Sequence, residues 1–178
     1  YAAVKGIRTF AFEPELNNVQ LLYENVFLNQ LQQKCTPVPV ALGDTTRLDV
    51  FHLKDFSKGD ALHSIGRKSY LLADPSRATF ELDTLVMKLD DVVDMFDLPK
   101  PTKIKIDVDF NELQVIQGAD NTLDYVSELY VELNMKLEEH EQVVEFLKEK
   151  SLEVTEVKEE LSRSWNPGMA NYLFTRTR

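Results

Sequence analysis

The stretch KIKIDVDFNELQVIQGADNTL, residues 103–123, holds two kinds of local order side by side. Its first part, 103–110, reads as a buried strand that closes on two acids, Asp107 and Asp109. The rest reads as a helix from about Asn111, a residue suited to cap it, with Gly118 placed to end or kink it. A strand running straight into a helix is the repeating unit of a parallel α/β sheet. Working outward, the same alternation covers much of the chain.

Upstream, IRTFAF (7–12) has strand composition, and Pro14 just beyond it suits the first turn of a helix. Val19, Leu22, Tyr23, Val26 and Phe27 then fall at helical spacing, which predicts an amphipathic helix over about 15–30. TPVPVAL (36–42) is apolar and β-branched but carries two prolines, as an outer strand tolerates, and Gly43-Asp44 ends it. Residues 47–88 read as a β-rich insertion: LDVFHL and ATFELDTLVM flank a polar loop around SKGDALHSIGRKS, and Phe80 and Leu82 alternate with polar residues as in a half-exposed strand. Leu89, Val92, Val93 and Phe96 make a helical stripe. Downstream, SELYVELN (127–134), LEVTEV and ANYLFTRTR read as strands, with EEHEQVVEFLKEK as a helix between the first two. A single domain, 1–178, is the expectation.

Composition excludes several classes. A hydrophobic content of 43% with 10% aromatics supports a packed core rather than a disordered chain. Thirty acidic against 20 basic residues give a net charge of −10, which repels phosphate backbones and anionic lipid, so neither nucleic acid nor membrane is an expected partner. The same charge suits a cationic small ligand, and it equally serves plain solubility. Cys35 is the single cysteine, so no internal disulfide or paired-cysteine metal site can form, which fits a reducing cytoplasm. No segment has the apolar length of a membrane span. His52, His63 and His140 lack metal-ligand spacing, and no metal is expected. No two of the six glycines fall within a G-x-G. That weakens a dehydrogenase or kinase reading.

Acids collect after strands: Glu13, Asp44, Asp107 and Asp109, then Glu132 beside Asn134. In open parallel sheets ligands bind at the carboxyl ends of strands. Glu13 closes what would be the second strand, where a carboxylate can accept both hydroxyls of a ribose; it equally suits a helix N-terminus through the dipole. Asp44 is placed for an exocyclic amine such as adenine N6, or for an ordinary Gly-Asp turn. Asp107 and Asp109 share a face if their strand continues, which makes them candidates to orient a substrate hydroxyl or take its proton; the alternative is loop acids satisfied by backbone amides. His63, with the adjoining Ser64, is a candidate lining of a substrate pocket, whereas His140 in EEHEQ reads as a solvated helix residue. Trp165 and the NPG beside it read as a surface loop packed by the indole.

In order along the chain, FEP, NVQLLYENVFLN, VALGD, LDDVVD, the 103–123 stretch, LYVELN and a terminal NYLF resemble the FkbM family of S-adenosylmethionine-dependent methyltransferases. The resemblance implies a Rossmann-like class I methyltransferase fold, α/β and mostly parallel with an antiparallel last strand. It also implies O-methyl transfer to a hydroxyl of a sugar, glycan or secondary metabolite. Glu13 and Pro14 would then hold the cofactor ribose, and Leu42, Gly43 and Asp44 would frame the adenine. Asp107, with Asp109, would face the transferred methyl, and Glu112 corresponds to the acid that follows the family's fourth strand, on the substrate side. The chain differs from the family in carrying Asp109-Phe110 where Glu-Gly is usual. The family's first strand and its D-x-G-A-N-x-G turn are also missing ahead of YAAVKGIRTFAFEP. From that gap one expects strand two to close directly onto strand four, or the edge to pair with another copy as a homodimer, with weak cofactor binding in either case. The alternative function is an inactive methyltransferase-like binding or assembly module.

Overall fold

The computed structural model of the chain describes residues 1–53, 63–66, 80–159 and 168–177. It divides into two compact units, Tyr1–Leu42 with Thr46–Met87, and Gly43–Thr45 with Lys88–Arg178.

In the first unit, β1 (Thr9–Phe12) pairs in parallel with β2 (Cys35–Val38), joined by α1 (Leu16–Leu28). Val26, Cys35 and Ala3 are buried together, with Ala11, Leu22 and Leu31 packed against them. The helical stripe is only partly covered: Val19 and Val26 are buried, whereas Phe27 is 71% exposed. Pro14 stands outside the helix, because Glu15 is its cap, in extended conformation and accepting from the Asn18 N–H at 2.7 Å. The apolar run 36–42 is two strands rather than one. It breaks at Pro39 and Val40, and β3 (Ala41–Leu42) joins a different sheet.

That sheet has the order β3-β6-β4-β5, with β4 at Arg47–Leu53, β5 at Ser64–Ile65 and β6 at Phe80–Met87. β6 runs parallel to β3 and antiparallel to β4. The β-rich character expected for 47–88 is present, but Phe80 and Leu82 do not form a buried face. Both are exposed, and burial in β6 begins only at Val86 and Met87.

The second unit carries the remaining strands in the order β7-β8-β10-β9: β7 (Lys103–Ile106), β8 (Glu128–Asn134), β9 (Leu152–Glu159) and β10 (Met169–Arg176). β7 and β8 are parallel, and β10 runs antiparallel to both neighbours, as expected of a last strand. The helices are α2 (Leu89–Met95), α3 (Glu112–Gln117) and α4 (Glu138–Glu149). Leu129, Val131, Ile116, Val143, Leu147 and Phe174 are fully buried and make its core. Each such side chain contributes about 1.5–3 kcal/mol of burial.

Three local features set the site. β7 ends at Ile106, so Asp107 and Asp109 lie beyond the strand, and the face-sharing expected of them lapses. Asn111 occupies the cap position of α3 but makes no side-chain cap bond. Gly118 closes the helix with ordinary backbone angles, and the need for glycine there is steric: a Cβ would stand 1.8 Å from the carbonyl oxygen of Gly43. Among the described residues β1 has β2 as its hydrogen-bonded neighbour and β7 has β8. The Trp165 loop lies outside the described residues, as does most of the 57–69 loop, of which only His63–Gly66 are described.

Candidate active site

The parallel pair β7 and β8 delivers its carboxyl ends to one edge of the second unit's sheet, and a cavity of about 20 Å³ opens there. Val108, Asp109 and Phe110 line it from the turn after β7, Glu112 and Leu113 from the start of α3, and Leu133 and Asn134 from the end of β8. Leu137 at the cap of α4 and Glu139, His140 and Val143 within it close the cavity, with Met169 from β10. The volume admits one water-sized group.

Its charge is unusual. Burial strips water from the Glu112 carboxylate and pushes its pKa up to about 8. The backbone amides of Glu112 and Phe110 oppose that rise, and the negative charges of Asp109 and Glu139 add to it. At neutral pH Glu112 is therefore mostly the neutral acid, able to donate a hydrogen bond.

His140 faces the same cavity. Its Nε2 is buried and has no hydrogen-bond partner among the described residues, and its ring lies 5.1 Å from that of Tyr172 at a tilt of 52°. The polar EEHEQ run predicts solvent; the fold instead turns this one residue inward toward β10. Phe110 holds φ at 70°, the left-handed conformation that side chains resist and glycine adopts freely. The position where the resembling family carries glycine thus keeps the glycine-type backbone here, with a phenyl group on it.

Asp107 is set apart from this group. It is exposed, paired with Lys105 at 2.5 Å, and does not line the cavity. The chain leaves the strand at Ile106, one residue before Asp107.

The remaining candidates are local to their own surroundings. Glu13 Oε1 accepts from the Glu15 N–H at 2.9 Å, and the Glu13 N–H donates to the Val38 carbonyl at 3.2 Å. Among the described residues Oε2 has no partner. Burial raises the Glu13 pKa, the Glu15 amide lowers it, and the Glu15 charge raises it again. The dipole reading thus gives way to a specific bond at the helix entry, while the cap itself is the buried Glu15, which sequence inspection missed. Leu42 ends β3, Gly43 is buried, and Asp44 is half-buried in the turn that Gly118 meets. Ser64 is buried in β5 opposite His52, and the His63 ring meets Phe51 edge-on at 5.7 Å. Among the described residues no three His, Cys, Asp or Glu are grouped to hold a metal ion, and no helix is long and apolar enough to cross a membrane.

The family model of the methyltransferase FkbM domain matches residues 2–153. In structure the chain is similar to the crystal structure of methyltransferase FkbM from Methylobacillus flagellatus KT, with a TM-score of 0.58 and 14% sequence identity. That alignment covers 93% of this chain and 36% of the other, so the chain spans little more than a third of that protein's length. At such identity the likeness carries the fold alone. No curated protein matches the sequence.

Proposed function

The chain belongs to the methyltransferase FkbM domain family and has an α/β, Rossmann-like methyltransferase fold; from that premise we propose that it serves O-methyl transfer from S-adenosylmethionine to a hydroxyl of a sugar, glycan or secondary metabolite. The observation that carries the reading is the cavity at the carboxyl edge of β7 and β8, lined by Glu112, a neutral acid, and by His140, whose Nε2 has no partner among the described residues. Ligands of open α/β sheets bind at that edge.

The methyl donor supplies an activated methyl on a sulfonium. Glu13 is the residue for its ribose: a half-buried carboxylate with one oxygen held by the Glu15 amide and the other unpartnered among the described residues fits a hydroxyl donor. Leu42, Gly43 and Asp44 are the residues for the adenine, Asp44 by accepting from its amine. Each of these fits on its own chemistry. Glu112, as a neutral acid, orients the acceptor oxygen by donating to it, and the apolar Leu113, Leu133 and Val143 exclude water around it. Asp109 adds negative charge at the cavity wall, and His63 with Ser64 are assigned to the outer part of the acceptor.

The test is incubation of the chain with isotopically labelled methyl donor and a panel of sugar alcohols and glycosides. Label appearing in an acceptor, and lost in Glu112→Ala, supports the reading. Phe110 favours a second reading: its phenyl ring takes up cavity wall that glycine would leave open, as a binding module without turnover would tolerate. Donor binding with no transfer to any acceptor would decide for that module.

A further inference from the structure

We infer that His140 is the group that takes the acceptor's proton, with Nε2 as the receiving atom. The inference rests on the methyl-transfer reading above and deepens it.

Three observations lead there. First, His140 lines the cavity and its Nε2 is buried without a partner among the described residues, and a buried polar atom left unsatisfied costs about 1–3 kcal/mol. A group that enters the cavity and donates to Nε2 recovers that cost; in the tautomer with its proton on Nδ1, the imidazole presents Nε2 as an acceptor. Second, the space of about 20 Å³ admits a group the size of a water or hydroxyl, and of such groups an acceptor's O–H is the one with a proton to give to His140. Third, the carboxylate expected to do this work is elsewhere: Asp107 is in solvent with Lys105. Around the cavity Asp109 and Glu139 supply the negative charge that steadies an imidazolium once it forms, and Glu112 lines the same cavity as a neutral donor.

In the step itself the acceptor's O–H bond breaks and the proton passes to Nε2. The oxygen keeps the electron pair and uses it to bond the incoming methyl group, whose former bonding pair stays with the donor's sulfur. The Tyr172 ring beside the imidazole holds it in the cavity.

Two measurements decide the matter, and the first needs no methyl donor. In unmutated chain carrying ¹⁵N-labelled imidazoles, long-range proton–nitrogen spectra are followed as methanol is added, with the His140 ring identified by its contact with Tyr172. The expected result is a saturable shift of the His140 Nε2 signal while His52 and His63 stay still. A His140 signal that does not move, or that moves only in step with the other two rings, overturns the inference. The second is single-turnover methyl transfer by His140→Gln, expected to fall about 10²-fold or more with donor affinity unchanged. Transfer at the unmutated rate overturns the inference and leaves the methyl-transfer reading standing. If the unmutated chain transfers no methyl at all, that reading fails, and the methanol titration still decides whether His140 receives a hydroxyl.

Discussion

Asp90 and Glu112 occupy the same station, the first turn of a short helix, and end in opposite states. Burial alone would push Asp90 up, but four donors outweigh it. Oδ1 accepts from the Thr122 N–H at 2.8 Å and its hydroxyl at 2.6 Å, and Oδ2 from the Asn121 N–H at 2.9 Å and its side-chain amide at 3.1 Å. Asp90 is therefore held below the usual carboxylate range. Glu112 is desolvated too, yet it meets only backbone amides and two further negative charges, and rises to about 8. Burial does not set the state of an acid; the count of donors around it does. The saturated acid is a staple between α2 and the Thr122–Tyr125 turn. The starved one lines a cavity.

The most severe way to break this contrast is to remove the staple. Asp90→Ala leaves four donors facing nothing and is expected to cost about 4 kcal/mol, read as a lower urea midpoint at unchanged slope. With its folded pKa below 3.8, the Asp90 contribution is present at neutral pH and is lost as pH falls through that lower value, so an acid titration of Asp90→Asn should lack this step. Next comes Gly118, whose carbonyl accepts the Asp90 N–H at 3.0 Å. Gly118→Ala drives a methyl into the Gly43 backbone and should cost about 3 kcal/mol by thermal unfolding. A cost near zero would mean that the Gly43 turn yields freely.

Glu112 sharpens the contrast through pH. Its folded pKa near 8 lies above the ordinary 4.5, so the folded chain keeps a proton that the unfolded chain has lost. Stability should fall as pH rises between those two values and level off outside them, by about 2 kcal/mol in all once partial exposure is allowed for. Glu112→Gln should flatten that slope; an unchanged slope would place the titration elsewhere. The smallest effect concerns Phe110. At φ 70° glycine rests without strain and alanine does not, so Phe110→Gly should be more stable than Phe110→Ala by about 1 kcal/mol in parallel urea titrations.

Parts of this were legible in the chain. The order of elements and the helix stop at Gly118 come from local pattern, which survives folding because backbone hydrogen bonding enforces it, and the antiparallel last strand is what the family resemblance implied. Side-chain destinations were less legible. Pro14 lies two residues short of its helix because Glu15 supplies the cap, and Asp107 lies outside the cavity because β7 stops at Ile106, four residues before the end of the expected strand. His140 sits in an acidic run whose Glu138 and Glu141 are exposed. Only the pairing of β10 beside β8, which brings Tyr172 to the His140 ring, reveals that this position turns inward.

By itself the sequence determined which segments become strands and helices and to which family they belong, since both depend on side-chain type at short spacing. The tertiary structure alone decided which acids are charged, which are neutral, and that the His140 Nε2 has no partner among the described residues. Those states depend on donors and water brought near by residues distant in the chain, as Thr122 is from Asp90, and no window of neighbours contains them.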